Sequence, residues 1–138
     1  MPTTYLDAIV ATHRSRAAID AREWRSRLED VRYVGPSFVT ALRQGSSPFI
    51  KLIAEVKRRS PSKGVLAPDL DAAAMAGIYR DAGASAISVL TDQEYFDGSL
   101  EDLIEVRRSV EVPVLRKDFT VSENDVLDAA EAGAGAVL

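Results

Sequence analysis

A glutamate and a lysine two residues apart, at the end of an apolar run, are the first groups in this chain that can do chemistry. If Phe49 to Val56 is a strand, alternation puts Lys51, Ile53, Glu55 and Lys57 on one face and Leu52, Ala54 and Val56 on the other. The apolar face must meet the rest of the protein. Glu55 and Lys57, about 7 Å apart along such a strand, then face a site rather than the core. Burying two charges without a use is costly, so the segment Glu55 to Gly64 is expected to end a buried parallel strand and wall a small-molecule active site, with a structural ion pair as the alternative. A second run, Val112 to Leu115, repeats the device, because Pro113 and Leu115 share a face with Lys117. A lysine in that place can act as a general acid or bind a phosphate or carboxylate; the alternative is a strand-end lysine that snorkels to water. Asp118 can cap the following helix or pair with Arg116. Ser60-Pro61-Ser62-Lys63-Gly64 reads as a loop whose glycine can take positive φ and whose hydroxyls and Lys63 can meet an anion. Tyr95 or Phe96, in the long connection from Ser88 to Ser99, can wall an apolar ligand group or simply pack at the rim.

The elements that must position these residues follow from periodicity. Residues 3 to 30 read as helix, with Leu6, Ile9, Val10, His13 and Ala17 on one stripe and Trp24 and Leu28 continuing it. His13 on that stripe reads as structural or solvent-facing, and the Arg-rich stretch from Arg14 to Arg32 as a solvated face that can also steer an anion. Gly35-Pro36 ends the region, and a short helical turn at Phe38 to Leu42 stops at Gln44-Gly45-Ser46-Ser47-Pro48. Beyond it, short apolar runs (49–56, 86–90, 112–115 and 136 onward) alternate with helices. The first helix, Asp71 to Ala82, has Met75, Ile78 and Tyr79 on one face. The second is capped by Ser99 with Asp102 and buries Leu100, Leu103, Ile104 and Val106. The third is capped by Ser122 with Asp125 and buries Val126, Leu127 and Ala130. Asp81-Ala82-Gly83-Ala84-Ser85-Ala86-Ile87 returns fifty residues later as Glu131-Ala132-Gly133-Ala134-Gly135-Ala136-Val137. That pitch fits right-handed βαβ units of a (β/α)8 TIM barrel better than a doubly wound sheet. A whole barrel needs about 250 residues. The expectation is an α/β chain with an N-terminal helical extension (1–48) and the first half of a barrel (49–138), about three and a half βα units, ending inside its fourth strand.

Composition removes other classes. The chain has 138 residues, nearly half of them apolar, no cysteine and one histidine. Disulfide frameworks and thiolate sites are excluded, and zinc sites of the usual ligand sets or Ser-His catalysis are not expected. Net charge of −4 argues against nucleic acid as the main partner. With neither an export signal nor about 18 uninterrupted apolar residues, the expectation is a soluble, unexported, cytoplasmic protein with no membrane partner.

The ordered set Ile53-Ala54-Glu55-Val56-Lys57-Arg58-Arg59-Ser60-Pro61-Ser62, Ser88-Val89-Leu90-Thr91 with Tyr95-Phe96-Asp97-Gly98-Ser99, and Pro113-Val114-Leu115-Arg116-Lys117-Asp118-Phe119 resembles indole-3-glycerol-phosphate synthase, the ring-closing enzyme of tryptophan biosynthesis. The resemblance covers nearly the whole chain and implies the following. Lys117 matches the general-acid lysine, and Glu55 and Lys57 match the first-strand residues that hold the substrate and assist decarboxylation and dehydration. Ser60 matches a substrate-contacting serine, while Phe96 and Phe119 match apolar walls around the aromatic ring. The substrate would be 1-(2-carboxyphenylamino)-1-deoxyribulose 5-phosphate, with neither metal nor organic cofactor. The helical extension would partly cover the barrel mouth.

The family's second glutamate, its later asparagine and serine, and its phosphate site correspond to positions past Leu138. Gly135 stands where the family usually has an acidic residue. Alternatives are an inactive half-barrel acting only as an assembly partner, through self-association or a complementing half, and another phosphate-binding barrel of amino-acid biosynthesis.

Overall fold

A computed structural model describes residues 4–43 and 49–138; the predicted helix stop at 44–48 lies outside them. The expected helix over 3–30 is two helices, α1 (Tyr5–Ile19) and α2 (Trp24–Asp30), followed by α3 (Phe38–Arg43). Thr4 caps α1 in a reciprocal box with Asp7, satisfying N–H groups that the first turn leaves unpaired. The break comes from Asp20, whose backbone turns extended and whose carboxylate accepts from the Arg22 backbone N–H and guanidinium. Aspartate competes with helix in this way because its short side chain reaches nearby backbone donors.

Four parallel strands form the main sheet: β1 (Ile53–Val56), β4 (Ala86–Leu90), β5 (Val114–Lys117) and β6 (Ala136–Val137). Between β1 and β4, β2 (Arg59–Ser60) and β3 (Gly64–Val65) pair as a small antiparallel hairpin, where a plain loop was expected; Gly64 supplies the positive φ its turn needs. The sheet order is β1-β4-β5-β6, with α4 (Ala72–Asp81), α6 (Leu100–Ser109) and α7 (Glu123–Glu131) in the three crossovers. A four-residue helix, α5 (Gln93–Phe96), precedes α6. Strands laid down in chain order, each followed by a helix, form the progression of a (β/α) barrel wall, without the reversal of a doubly wound sheet.

Only β4 is buried along its whole length. β1, expected to be buried, is an edge of the described sheet and leaves Ile53 partly exposed, while Phe49 and Ile50 lie outside any strand and are exposed. The core forms where the sheet meets the helices, around Val56, Ile87, Val89, Leu103, Val106 and Val114. Full burial of each such side chain is worth roughly 1.5–3 kcal/mol. In α4, Ala72 and Ala76 take the innermost positions, with Met75 and Tyr79 against them. Ile78, predicted on that face, is exposed, since one residue before Tyr79 it lies about 100° around the helix. Val126 of α7 is likewise exposed beside buried Leu127 and Ala129.

The repeated phrase ends α4 and α7 identically. Gly83 and Gly133 hold positive φ, and paired bonds (Gly83 N–H to Arg80 O, Ala84 N–H to Tyr79 O; Gly133 N–H to Ala130 O, Ala134 N–H to Ala129 O) close each helix in the Schellman pattern. Ser122 and Asp125 complete the predicted capping box. Ser99 caps α6 through the Asp102 N–H, but the Asp102 carboxylate takes both guanidinium nitrogens of Arg58 instead, at 2.5 and 2.8 Å.

The arginines after His13 are mostly exposed, as a solvated face requires, but three of them also carry ion pairs. Arg16 pairs with Glu94; Arg22 and Arg27 both reach Asp128 on α7, and Arg27 also bonds Asn124 and Glu131. Burial pushes the Asp128 carboxyl up, but its bonds to Arg22 and Arg27 outweigh this and leave it below the usual range. Arg22 holds Asp20 down to about 2. At Gly135, a Cβ would lie 2.7 Å from the Tyr33 hydroxyl. That hydroxyl donates to Pro36 O at 2.7 Å, so the segment after α2 occupies the space a side chain would need.

Candidate active site at the strand ends

Glu55 lies near the end of β1, opposite Ser88 of β4, and Lys117 ends β5 opposite Leu90. Parallel register therefore brings groups 62 positions apart in sequence to one rim. Lys57 Nζ is 3.3 Å from Glu55 Oε1 and Lys117 Nζ 3.8 Å from Oε2. The Ser88 hydroxyl donates to Oε2 at 3.3 Å. One carboxylate thus stands between two ammonium groups. Their side chains are 34%, 34% and 35% exposed for Glu55, Lys57 and Lys117 in this part of the barrel wall. Pairs this open contribute about 0–1 kcal/mol to stability, too little for the cluster to serve the fold alone.

Two clefts of about 510 Å³ flank these charges and share Phe96 as a wall. One is lined by Val10, Arg14, Lys117 and Phe119. The other is lined by Lys57, Ser60, Lys63 and Leu66. Phe96 and Phe119 face each other with centroids 6.3 Å apart and planes inclined at 37°, leaving an apolar edge beside the cations. All six residues singled out in the sequence (Glu55, Lys57, Ser60, Phe96, Lys117 and Phe119) lie on this rim or in these clefts. Ser60 is largely buried yet lines the second cleft, and its hydroxyl accepts from the Lys63 N–H at 3.3 Å. Tyr95 turns away and its hydroxyl bonds Thr12.

Local structure explains the placement of Phe96. Asp92 caps α5, accepting from the Tyr95 and Phe96 N–H groups at 2.6 and 3.3 Å. Gly98 lets the chain return: a Cβ there would fall 2.1 Å from Leu90 O. Asp118 is Arg116's partner at 3.1 Å, is bonded by the Thr91 hydroxyl, and accepts from the Phe119 N–H at 2.8 Å. The cap of the following helix is Ser122, whose hydroxyl accepts from the Asp125 N–H while Asp125 takes the Ser122 N–H in return.

The sequence reading missed the surroundings of His13. Its Nε2 lies 2.7 Å from Asp92 Oδ2 and 3.7 Å from Asp118 Oδ1, and one ligand atom of each residue falls within 4.8 Å of the others. That spacing suits a metal, but the donors are committed: Asp92 to His13 and the α5 cap, and Asp118 to Arg116, Thr91 and the Phe119 amide. No periodicity signal could have found this contact, because it joins residues 79 positions apart.

Comparison with known proteins decides the family. The indole-3-glycerol phosphate synthase family profile matches residues 6–138. This chain belongs to the indole-3-glycerol phosphate synthase family. An indole-3-glycerol phosphate synthase of a Parafrankia species is 46% identical over 96% of this chain and 50% of its own length. The Chlorobium chlorochromatii protein of that name is 39% identical over 98% of this chain and 54% of its own. A third, from Mycobacterium bovis, is 43% identical over 99% and 51% respectively. The chain spans about half the length of these relatives. The indole-3-glycerol phosphate synthase family is a TIM barrel family, and the four strands in chain order are part of such a wall.

Proposed function

We propose that the chain carries one wall of an indole-3-glycerol phosphate synthase active site, within a division into a helical cover (1–48) and barrel segment (49–138). The observation that carries this reading is the pair of lysines on opposite oxygens of Glu55, beside the facing rings of Phe96 and Phe119. In the proposed reaction the anthranilate ring of 1-(2-carboxyphenylamino)-1-deoxyribulose 5-phosphate lies against Phe96 and Phe119. Lys117 donates a proton to the ribulose carbonyl oxygen as the ring carbon bearing the carboxylate attacks the carbonyl carbon. Carbon dioxide leaves, returning its bonding pair to the ring. The new hydroxyl then departs as water, protonated by Lys117 after the lysine has regained a proton from solvent. Glu55 is placed to take the proton released from the carbon next to nitrogen as the ring double bond forms. Lys57 holds the substrate's anionic groups, and Ser60 keeps the hairpin that carries Lys63 in place. Each substrate thus gives one product, one CO₂ and one water.

Partners follow from the same reading: an anionic small molecule and, because Leu52, Ile78, Val126 and Leu138 are exposed, a second copy or a complementing half barrel over those apolar groups. No helix among the described residues is long and apolar enough to cross a membrane, and a cytoplasmic biosynthetic setting fits the absence of cysteine. The test is to incubate purified chain with the carboxyphenylamino substrate, alone and with the separately expressed second half of the Parafrankia relative. Formation of indole-3-glycerol phosphate, followed by chromatography, is expected with the second half present. No product in either mixture, with the two halves shown to associate, would overturn the assignment.

A further inference from the structure

The proposed reaction gives no part to His13, yet this one ring touches the groups that set both aromatic walls. His13 is almost enclosed, with 10% of its side chain exposed, and it faces Asp92 and Asp118 at 0% and 5%. Asp92 carries Phe96 by capping the four-residue helix that ends there. Asp118 carries Phe119 by accepting its N–H, and it directly follows Lys117. The His13 ring also lies 5.4 Å from the Phe119 ring, inclined at 45°, within the range of a favourable aromatic contact.

We propose that His13 is a positioning residue that, through Asp92 and Asp118 and by packing on Phe119, sets the gap between Phe96 and Phe119 and hence the seat of the substrate's aromatic ring. The proposal rests on the reading of this cleft as the substrate site. Arg116 and Thr91 already bond Asp118, whereas Asp92 Oδ2 has His13 as its side-chain donor. A fully enclosed carboxylate oxygen left without a donor is costly, so losing His13 forces Asp92, and the α5 turn it caps, to rearrange. An anchor for α1 alone would not require this depth, because Arg16, three residues on, already ties the same helix to Glu94 at 2.8 Å on the surface.

The test compares His13→Leu, His13→Gln and Arg16→Gln in the intact chain by NMR of the phenylalanine rings and of the 117–119 amides. His13→Leu is expected to displace the Phe96 and Phe119 ring resonances and abolish their mutual NOEs. His13→Gln, whose amide can donate to Asp92 from nearly the same place, restores the mutual NOEs, and Arg16→Gln leaves resonances and NOEs unmoved. If His13→Leu does not fold, His13→Phe answers the question: it keeps a ring against Phe119 but offers Asp92 no donor, and it should displace the same resonances. In the complemented assay, His13→Leu raises KM roughly tenfold with a smaller change in kcat. Retained NOEs in folded His13→Leu or His13→Phe, or equal displacement by Arg16→Gln, would overturn the proposal. Displaced rings with no turnover by any variant, the parent chain included, would uphold the positioning role and remove only the proposed reaction.

Discussion

Lys117 Nζ lies 3.8 Å from Glu55 Oε2, across two strands, while Lys57 holds the other oxygen of that carboxylate. The contact is loose and a third exposed, so it gives each lysine a partner without locking it away from a substrate. In the function proposed above, a carboxylate in this place would keep two cations together in the empty cleft and yield them to an anionic substrate.

Glu55→Gln should therefore separate binding from turnover. Removing the negative charge frees both lysines for a substrate that carries a carboxylate and a phosphate, so KM falls or stays level. Loss of the proton acceptor lowers kcat by about 10²-fold or more. Steady-state kinetics on the complemented assembly distinguish this from a purely structural role, for which both constants would change little.

Arg58 and Asp102 form the opposite kind of pair. Two short bonds and low exposure (19% and 10% of the side chains) tie the end of β1 to α6, and the Asp102 carboxylate keeps the Arg58 guanidinium above its ordinary pKa. Asp102→Ala leaves a largely enclosed guanidinium with fewer acceptors and should cost about 2–4 kcal/mol, read as a lower urea midpoint with unchanged slope.

Gly98→Ala should destabilise by about 1–3 kcal/mol, because the obstacle to its Cβ is the Leu90 carbonyl, which belongs to the backbone and cannot swing aside. The relaxed chain would carry Phe96 with it. Thermal unfolding measures the first effect, and a weaker Phe96–Phe119 NOE the second.

Acid should undock the N-terminal helices. Asp20 and Asp128 both have carboxyl groups held below their ordinary value by Arg22, with Arg27 adding to Asp128. Depressed carboxylates stabilise the folded state fully above about pH 4 and lose that contribution as pH falls through the folded values toward 2. Trp24, the sole tryptophan, starts α2 and reports the change. Its fluorescence should hold steady from pH 7 to 5 and shift below 4; a shift centred near pH 6 would contradict this origin.

What could be read from sequence was whatever a single strand or helix decides by itself. Alternation along β1 put Glu55 and Lys57 together, the run before Lys117 put that lysine at a strand end, and glycine phrases at 83 and 133 marked two helix ends that the structure closes alike. The rest depended on partners far along the chain. Asp102 looked like a cap partner and serves Arg58; Arg22 and Arg27, two of a stretch that looked solvated, grip α7; His13 looked peripheral and sits against Asp92 and Asp118. β1 is one edge of the four described strands, so it has a neighbour on one side only and is less buried here than β4.

The account stands most directly on Lys117, and the deciding measurement is the rate of indole-3-glycerol phosphate formation by the complemented chain with Lys117→Ala beside the unaltered protein. The prediction is a loss of about 10²-fold or more in kcat, with the unfolding midpoint displaced by no more than about 1 kcal/mol in stability. Activity unchanged by the substitution would contradict the role given to Lys117 and, with it, the account of this rim as an active site.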